Sequence, residues 1–165
     1  MRRTRHITSA VATAVLAWAA AGCGGSMDHG GTSPSSVEKK ARTLTRQTLD
    51  AIRPAAGSAG TSVTGGTWQQ CSTETPGTHR FEYRYVVTLD VPQERSEDVM
   101  TAARAHFVEQ GYRLDLPDPG TARVGATEPH ATYWVAVGVN SDKKSMFLSV
   151  DSGCVGVSHD PKKKA

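Results

Sequence analysis

The clearest alternation of apolar and polar positions runs from Phe81 to Val91, where Phe81, Tyr83, Tyr85, Val87, Leu89 and Val91 interleave with Glu82, Arg84, Val86, Thr88 and Asp90. A period of two sustained over that length sets one row against a core and the other away from it, which predicts a half-buried strand. Trp68 to Cys71 reads as a preceding antiparallel strand, joined to it through the turn-rich Thr75, Pro76, Gly77 and Thr78. Further on, Tyr112 to Leu116, Ala122 to Thr127, Thr132 to Val139 and Ser145 to Asp151 read as a meander. Its gaps are punctuated by Pro117, Asp118, Pro119 and Gly120, by Glu128, Pro129 and His130, and by Asn140 to Lys144.

Helical spacing occurs twice. Val37, Ala41, Leu44 and Ile52 predict a helix from Val37 to Arg53, opened by a Ser35/Glu38 capping box and stopped by Pro54. Val99, Ala103 and Phe107, with Met100 beside them, predict a second from Glu94 to Gln110, with Gly111 at the left-handed cap position. Between the first helix and the first strand, residues 54–66 are rich in Gly, Ser, Ala and Thr and read as a loose linker, so this helix is free to dock on the domain or elsewhere. The order α-β-β-α-β-β-β(-β) specifies an α+β domain, with a mostly antiparallel sheet of five or six strands and the second helix on one face.

At the amino end, Arg2, Arg3 and Arg5 precede an uncharged apolar run from Ala10 to Ala21. That is the pattern of a signal peptide over residues 1–22, and the run is shorter than the ~20 apolar residues a spanning helix needs. Thr4, Arg5 and His6 follow the twin arginines where a folded-export signal carries an apolar residue. Ala20, Ala21, Gly22 and Cys23 resemble the lipobox of bacterial lipoproteins, and that resemblance implies a diacylglycerol on Cys23. Ordinary cleavage after Ala19 or Ala21 is the alternative. From Cys23 to Ser36 the chain reads as a flexible tether, residues 37–159 as one domain with its sheet core over 67–157, and residues 160–165 as a basic tail.

Removing residues 1–22 changes the charge. The whole chain has 19 basic and 16 acidic residues, so loss of Arg2, Arg3 and Arg5 leaves 19 − 3 = 16 against 16. A formally neutral mature domain gives no electrostatic footprint for nucleic acid. The run Lys162, Lys163 and Lys164 reads as a solvated end, with contact to an anionic surface as the alternative. Assigning Cys23 to lipid also leaves Cys71 and Cys154 as an even pair, which in an oxidising compartment is read as a disulfide. Neither a Cys-x-x-Cys motif nor zinc-type spacing competes with that reading.

Catalytic motifs do not emerge. There is no Gly-x-Ser-x-Gly elbow, Gly65 and Gly66 lack the Lys of a phosphate loop, and Ser152 beside Gly153 reads as a turn after the last strand. His79, His106, His130 and His159 fall in or near different elements, and Glu97 and Asp98 suit a helix start. No catalytic residue, metal or cofactor is assigned.

One constellation suggests binding. Trp134 opposes the apolar row Tyr133, Val135, Val137 and Val139, Phe147 opposes Met146, Leu148 and Val150, and Val86 opposes the inward row of its own strand. Val86, Trp134 and Phe147 thus form a second apolar patch bordered by Glu82 and Arg84, and Arg84, Val86, Trp134 and Phe147 are the candidate binding residues. Either the first helix or a neighbouring segment covers this patch, which is the simpler reading, or another molecule docks there.

The arginine-led signal, the Ala-Ala-Gly-Cys junction, the Ser/Gly/Thr tether and the ending Val150-Asp151-Ser152-Gly153-Cys154 together resemble small lipoproteins of actinomycetes. The resemblance implies location on the outer face of the cytoplasmic membrane, and not an activity. The expected function is a non-enzymatic binding domain, held to the membrane by lipid, with an envelope protein, peptide or glycan as partner. The alternatives are a small envelope hydrolase built from dispersed residues such as His79, His130 and Asp151, or a structural accessory subunit. A hydrolase calls for a polar pocket with converging histidines, and a binding domain for an exposed aromatic patch or a free sheet edge.

Overall fold

The alternating stretch becomes strand β2 (Arg80–Asp90), second from one edge of a six-stranded sheet. The computed structural model describes residues 31–71, 79–116, 122–129, 132–141 and 145–162. Around β2 lie β1 (Gly60–Gln70), β3 (Arg113–Leu114), β4 (Arg123–Thr127), β5 (Trp134–Val139) and β6 (Met146–Gly156), in the order β1-β2-β6-β5-β4-β3 with every pair antiparallel. The fold is α+β, and the last four strands are a meander whose final member returns to pair with β2. The expected signal peptide over residues 1–22, Cys23, the turn at 75–78, Pro117 to Gly120, His130 and the final lysines 163 and 164 lie outside the described residues.

Both helices lie on one face of this sheet. Helix α1 (Pro34–Ala56) packs over β2 and β6, helix α2 (Ser96–Glu109) packs over β3, β4 and β5, and the two helices touch each other. Val37, Ala41, Leu44 and Ile52 of α1 meet Val99, Ala103 and Phe107 of α2 in one core with the inward rows of β2, β5 and β6. Each fully buried Leu, Val or Phe there contributes roughly 1.5–3 kcal/mol. Phe107 stacks on Tyr112, with ring centroids 5.6 Å apart, just after Gly111 (φ 71°) turns the chain out of α2.

Several boundaries differ from those the sequence predicts, each for a local reason. The cap of α1 is Ser33 rather than Ser35, and its hydroxyl accepts from the Ser36 amide at 3.2 Å. Pro34 fixes that choice, because its preset φ and missing N–H suit the first helical position. Pro54 falls inside the last turn instead of ending the helix, and the chain leaves at Gly57 (φ 70°), whose amide donates to the Arg53 carbonyl. The expected tether does not extend to Ser36: Thr32 already bridges Val157, and residues 34–36 are helical. A 3-10 turn (Gln93–Arg95) precedes α2.

The larger correction concerns the linker. Residues 60–66 are not loose but form the first half of β1, paired with β2 from Gly60↔Asp90 onward. They show no apolar row because β1 is an edge strand that its hydrogen bonds to β2 hold in place more than burial does. Likewise β6 continues past Asp151 to Gly156, so Ser152 and Gly153 form a bulge within a strand and not a turn after it. There the Ser152 hydroxyl accepts the Tyr83 amide at 2.9 Å, standing in for a displaced ladder acceptor, and Gly153 takes φ 60°.

Cys71 and Cys154 are joined by a disulfide across a sequence separation of 83, with Cα atoms 6.2 Å apart. It ties the end of β1 to β6 beside the bulge, and under the chain-entropy model a loop of that size stabilises by roughly 4–5 kcal/mol before native strain. Replacing both cysteines by alanine is expected to lower the unfolding free energy by about 2–5 kcal/mol, read as a lower urea midpoint.

A second expectation concerns pH. Burial holds the His106 imidazole below its ordinary value, so the unfolded chain binds that proton more readily than the folded one. The stability from neutral His106 is complete above about pH 6.5 and is lost as pH falls through the window below it. Urea midpoints measured from about pH 7.5 down to about pH 5 should therefore decline, and His106→Gln should flatten that decline.

Candidate functional site

With both helices on one side, the opposite face of the sheet carries no helix among the described residues. The expectation that the first helix covers the Trp134 and Phe147 patch is therefore corrected: α1 lies on the other face, because its buried stripe matches the inward row of β2. Strand register groups the open face into three rows. Arg84, Asp151, Trp134 and Thr127 form one, Val86, Ser149, Ala136 and Gly125 the next, and Thr88, Phe147, Gly138 and Arg123 the third. Arg84, Val86, Trp134 and Phe147 thus share one surface, with Val86, Trp134 and Phe147 half-buried.

The two rings are held by glycines that the sequence reading passed over. A methyl group on Gly125 would sit 3.0 Å from the Trp134 indole and overlap the Asp115 carboxylate, so the indole lies across the bare backbone of β4. A methyl on Gly138 would meet a Phe147 ring carbon at 2.9 Å and the Ala122 carbonyl oxygen at 2.9 Å. This is the packing of an aromatic over a neighbouring strand's glycine. Ala136 between the rings is fully buried even though it lies on the open face. The Trp134 indole N–H donates to Asp115, and the Arg123 guanidinium lies 5.6 Å from the indole centre. A cation in that position contributes about 0.5–1 kcal/mol when solvent-exposed.

Beside the rings stands a charge cluster. Arg84 donates to Asp151 Oδ2 through Nε at 3.1 Å and Nη2 at 2.9 Å, and to Glu82 Oε1 at 3.0 Å. Asp151 Oδ1 accepts the Gly153 amide at 2.9 Å, so the β6 bulge orients the carboxylate. The hydrogen bond with Asp151, burial and the Asp151 charge raise the Glu82 carboxyl above the usual carboxylate range, against the pull of Arg84. The same Asp151 contact raises Arg84 further, keeping it charged. The result is an amphipathic face: a fixed guanidinium and two carboxylates at one corner, two aromatic rings in the middle and Arg123 at the other side.

The residues of the hydrolase alternative are not gathered. Asp151 is engaged by Arg84, His79 is exposed before β2, and His130 lies outside the described residues. At about 3.3 Å per residue, the offset between His79 and Arg84, the partner of Asp151, is roughly 16 Å along the strand. Among the described residues no group of three or more His, Cys, Asp or Glu is placed to hold a metal, and no helix is long and apolar enough to cross a membrane.

The chain thus defines its class by architecture: an antiparallel α+β domain with helices on one face and an aromatic, charged surface on the other. No protein-family model matches it, and neither a curated protein nor a solved structure does so.

The glycine floor makes a direct prediction. Gly138→Ala should destabilise the domain by about 1–3 kcal/mol, because the methyl meets backbone as well as the ring. Gly125→Ala should instead tilt Trp134, seen as a shift in tryptophan emission with a smaller change in the urea midpoint.

Proposed function

We propose that residues 1–22 direct export, that Cys23 carries a diacylglycerol anchor on the outer face of the cytoplasmic membrane, and that the domain following it is a non-enzymatic binding module. In this reading its partner is a protein, peptide or glycan of the cell envelope, met by Arg84, Val86, Trp134 and Phe147. The observation that carries the binding role is the sidedness of the sheet: one face holds the core, and the other presents two rings fixed over glycine beside a fixed ion-pair cluster. Rings already set in place lose little side-chain freedom on binding, which favours such a surface as a docking site. The disulfide between Cys71 and Cys154 supports export, since such bonds persist in oxidising compartments.

Mass measurement of the mature protein from its native membrane should find a diacylated Cys23 at the amino terminus; an unmodified terminus at Ala20 or Gly22 would remove the anchor. For the binding role, crosslinking and affinity capture from the native envelope should recover a component that Trp134→Ala and Phe147→Ala each reduce strongly while the fold is kept. Large destabilisation with unchanged capture would sink it.

A further inference from the structure

The sheet has a second exposed feature, its β1 edge. The outer row of β1 amides and carbonyls from Thr61 to Trp68 meets no other strand among the described residues, and the strand holds neither a charge nor a proline. Edge strands are ordinarily blunted by Lys, Pro or a covering segment. Among the described residues the single such device is the bulge between Val63 and Gly65, which twists the edge without blocking it. Val63 is 62% exposed, although register places it on the helix-bearing face opposite Val87.

Beside this edge runs α1. At 100° per residue, Glu38, Arg42, Leu49, Arg53 and Ala56 form the flank of α1 that faces β1, with Arg46 on its outer border. Contacts fix that orientation: Glu38 accepts from the Trp68 indole N–H at 3.1 Å, and Arg42 stacks 5.4 Å from the Tyr85 ring centre. Lower down, Leu49, Ile52 and Ala56 face Ala59, Thr61 and Leu89 across an apolar cleft of about 90 Å³ with Arg53 at its rim. Arg46 makes no ion pair among the described residues, while Arg42 reaches Glu38 at 3.6 Å and Arg53 reaches Asp50 at 3.0 Å, both at the surface. The groove between β1 and α1 therefore combines a row of backbone groups, an apolar cleft and three guanidinium groups.

We infer that this groove binds an extended peptide, which adds as a seventh strand to β1 and presents an apolar side chain flanked by acidic ones to α1. A strand added about 4.8 Å beyond β1 would bring its inward side chains up beside the arginine row and not beneath the helix. At the level of Thr61 an inward side chain meets the cleft lined by Leu49, Ile52 and Ala56, which suits a small apolar group. Two residues away on either side it meets Arg53 or the Arg42 and Arg46 pair, which suits carboxylates. A second copy of the chain fits less well: in a two-fold β1 pairing both arginine rows would face each other across the junction, and like charges so placed repel.

The test uses the purified protein and an acetylated, amidated Thr-Glu-Thr-Val-Thr-Glu-Thr peptide, whose sequence reads the same in both directions and so presupposes no strand polarity. Binding should be saturable, weaken with salt, and shift amide resonances of Thr61 to Trp68. Replacing both Glu by Lys in the probe should weaken it about fivefold or more, and Arg46→Glu should reverse that preference. N-methylation of alternate peptide nitrogens should abolish binding in one of the two possible frames. Absence of saturation up to about 1 mM would overturn the inference. So would equal affinity for the lysine probe, resonance shifts confined to the Trp134 and Phe147 face, or sedimentation as a dimer that Val63→Asp dissolves. Because the probe reports on β1 alone, its failure leaves the open-face reading untouched.

Discussion

The pairing of β2 with β6 is the constraint on which the rest of the molecule depends. It joins the β1–β2 hairpin to the meander β3–β6, two units separated in the chain by α2, and it runs nearly the full length of both strands. Closing so long a loop is costly in entropy, and the structure offsets the cost from several directions. Inward residues of both strands lie under α1, the disulfide clamps one end, and the Ser152 hydroxyl repairs the ladder where β6 bulges. The bulge does more than accommodate an extra residue. It re-aims Asp151 so that one carboxylate oxygen takes the Gly153 amide and the other takes Arg84, which places the charge cluster at the corner of the open face.

Much of this was legible in the residues because burial leaves a periodic signature. β2, α2 and the core stripe of α1 all announce themselves by spacing, and so does the shared face of Val86, Trp134 and Phe147, since alternation needs no knowledge of tertiary contacts. The first half of β1 was not legible. Gly60 to Gly66 has no buried row to display, and the pairing that orders it is a backbone property to which side chains hardly contribute. The cap of α1 falls at Ser33 and not at Ser35, and Pro34 at the first helical position is the residue that marks it. Sidedness was illegible for a deeper reason: a stripe on a helix says that it packs, but not on which face of a sheet already possessing two apolar rows.

The glycines under the rings show what a finer reading could extract. Gly125 and Gly138 stand in strands otherwise rich in β-branched residues, where glycine has a cost unless something approaches the backbone closely. Aromatic residues on the adjacent strands, Phe147 directly opposite Gly138 and Trp134 one register step from Gly125 on the same face, identify what approaches. That pattern distinguishes a ring lying along the sheet from one projecting into solvent. It also explains how the open face exposes Trp134 and Phe147 only partly while Ala136 beneath them is sealed.

Face and edge place opposite demands on the same sheet. A face that recognises another molecule needs rings and charges held rigidly, which the glycine floor, the Asp115 contact and the Arg84 cluster supply. An edge that accepts a strand needs backbone groups left free and a strand not buried by its neighbours, which is what the uncharged, glycine-containing β1 provides. The two are compatible because β2 separates them: its outward row belongs to the face, its inward row to the core under α1, and its far hydrogen-bonding side to β1. The disulfide fixes the end of β1 nearest Trp68, where the Glu38 contact also lies, while the Gly60 end follows α1 after three residues and packs Ala59 against the core. The strand is thus anchored at both ends, and between them its outer backbone groups meet no other strand among the described residues, beside the apolar cleft that an incoming side chain would enter.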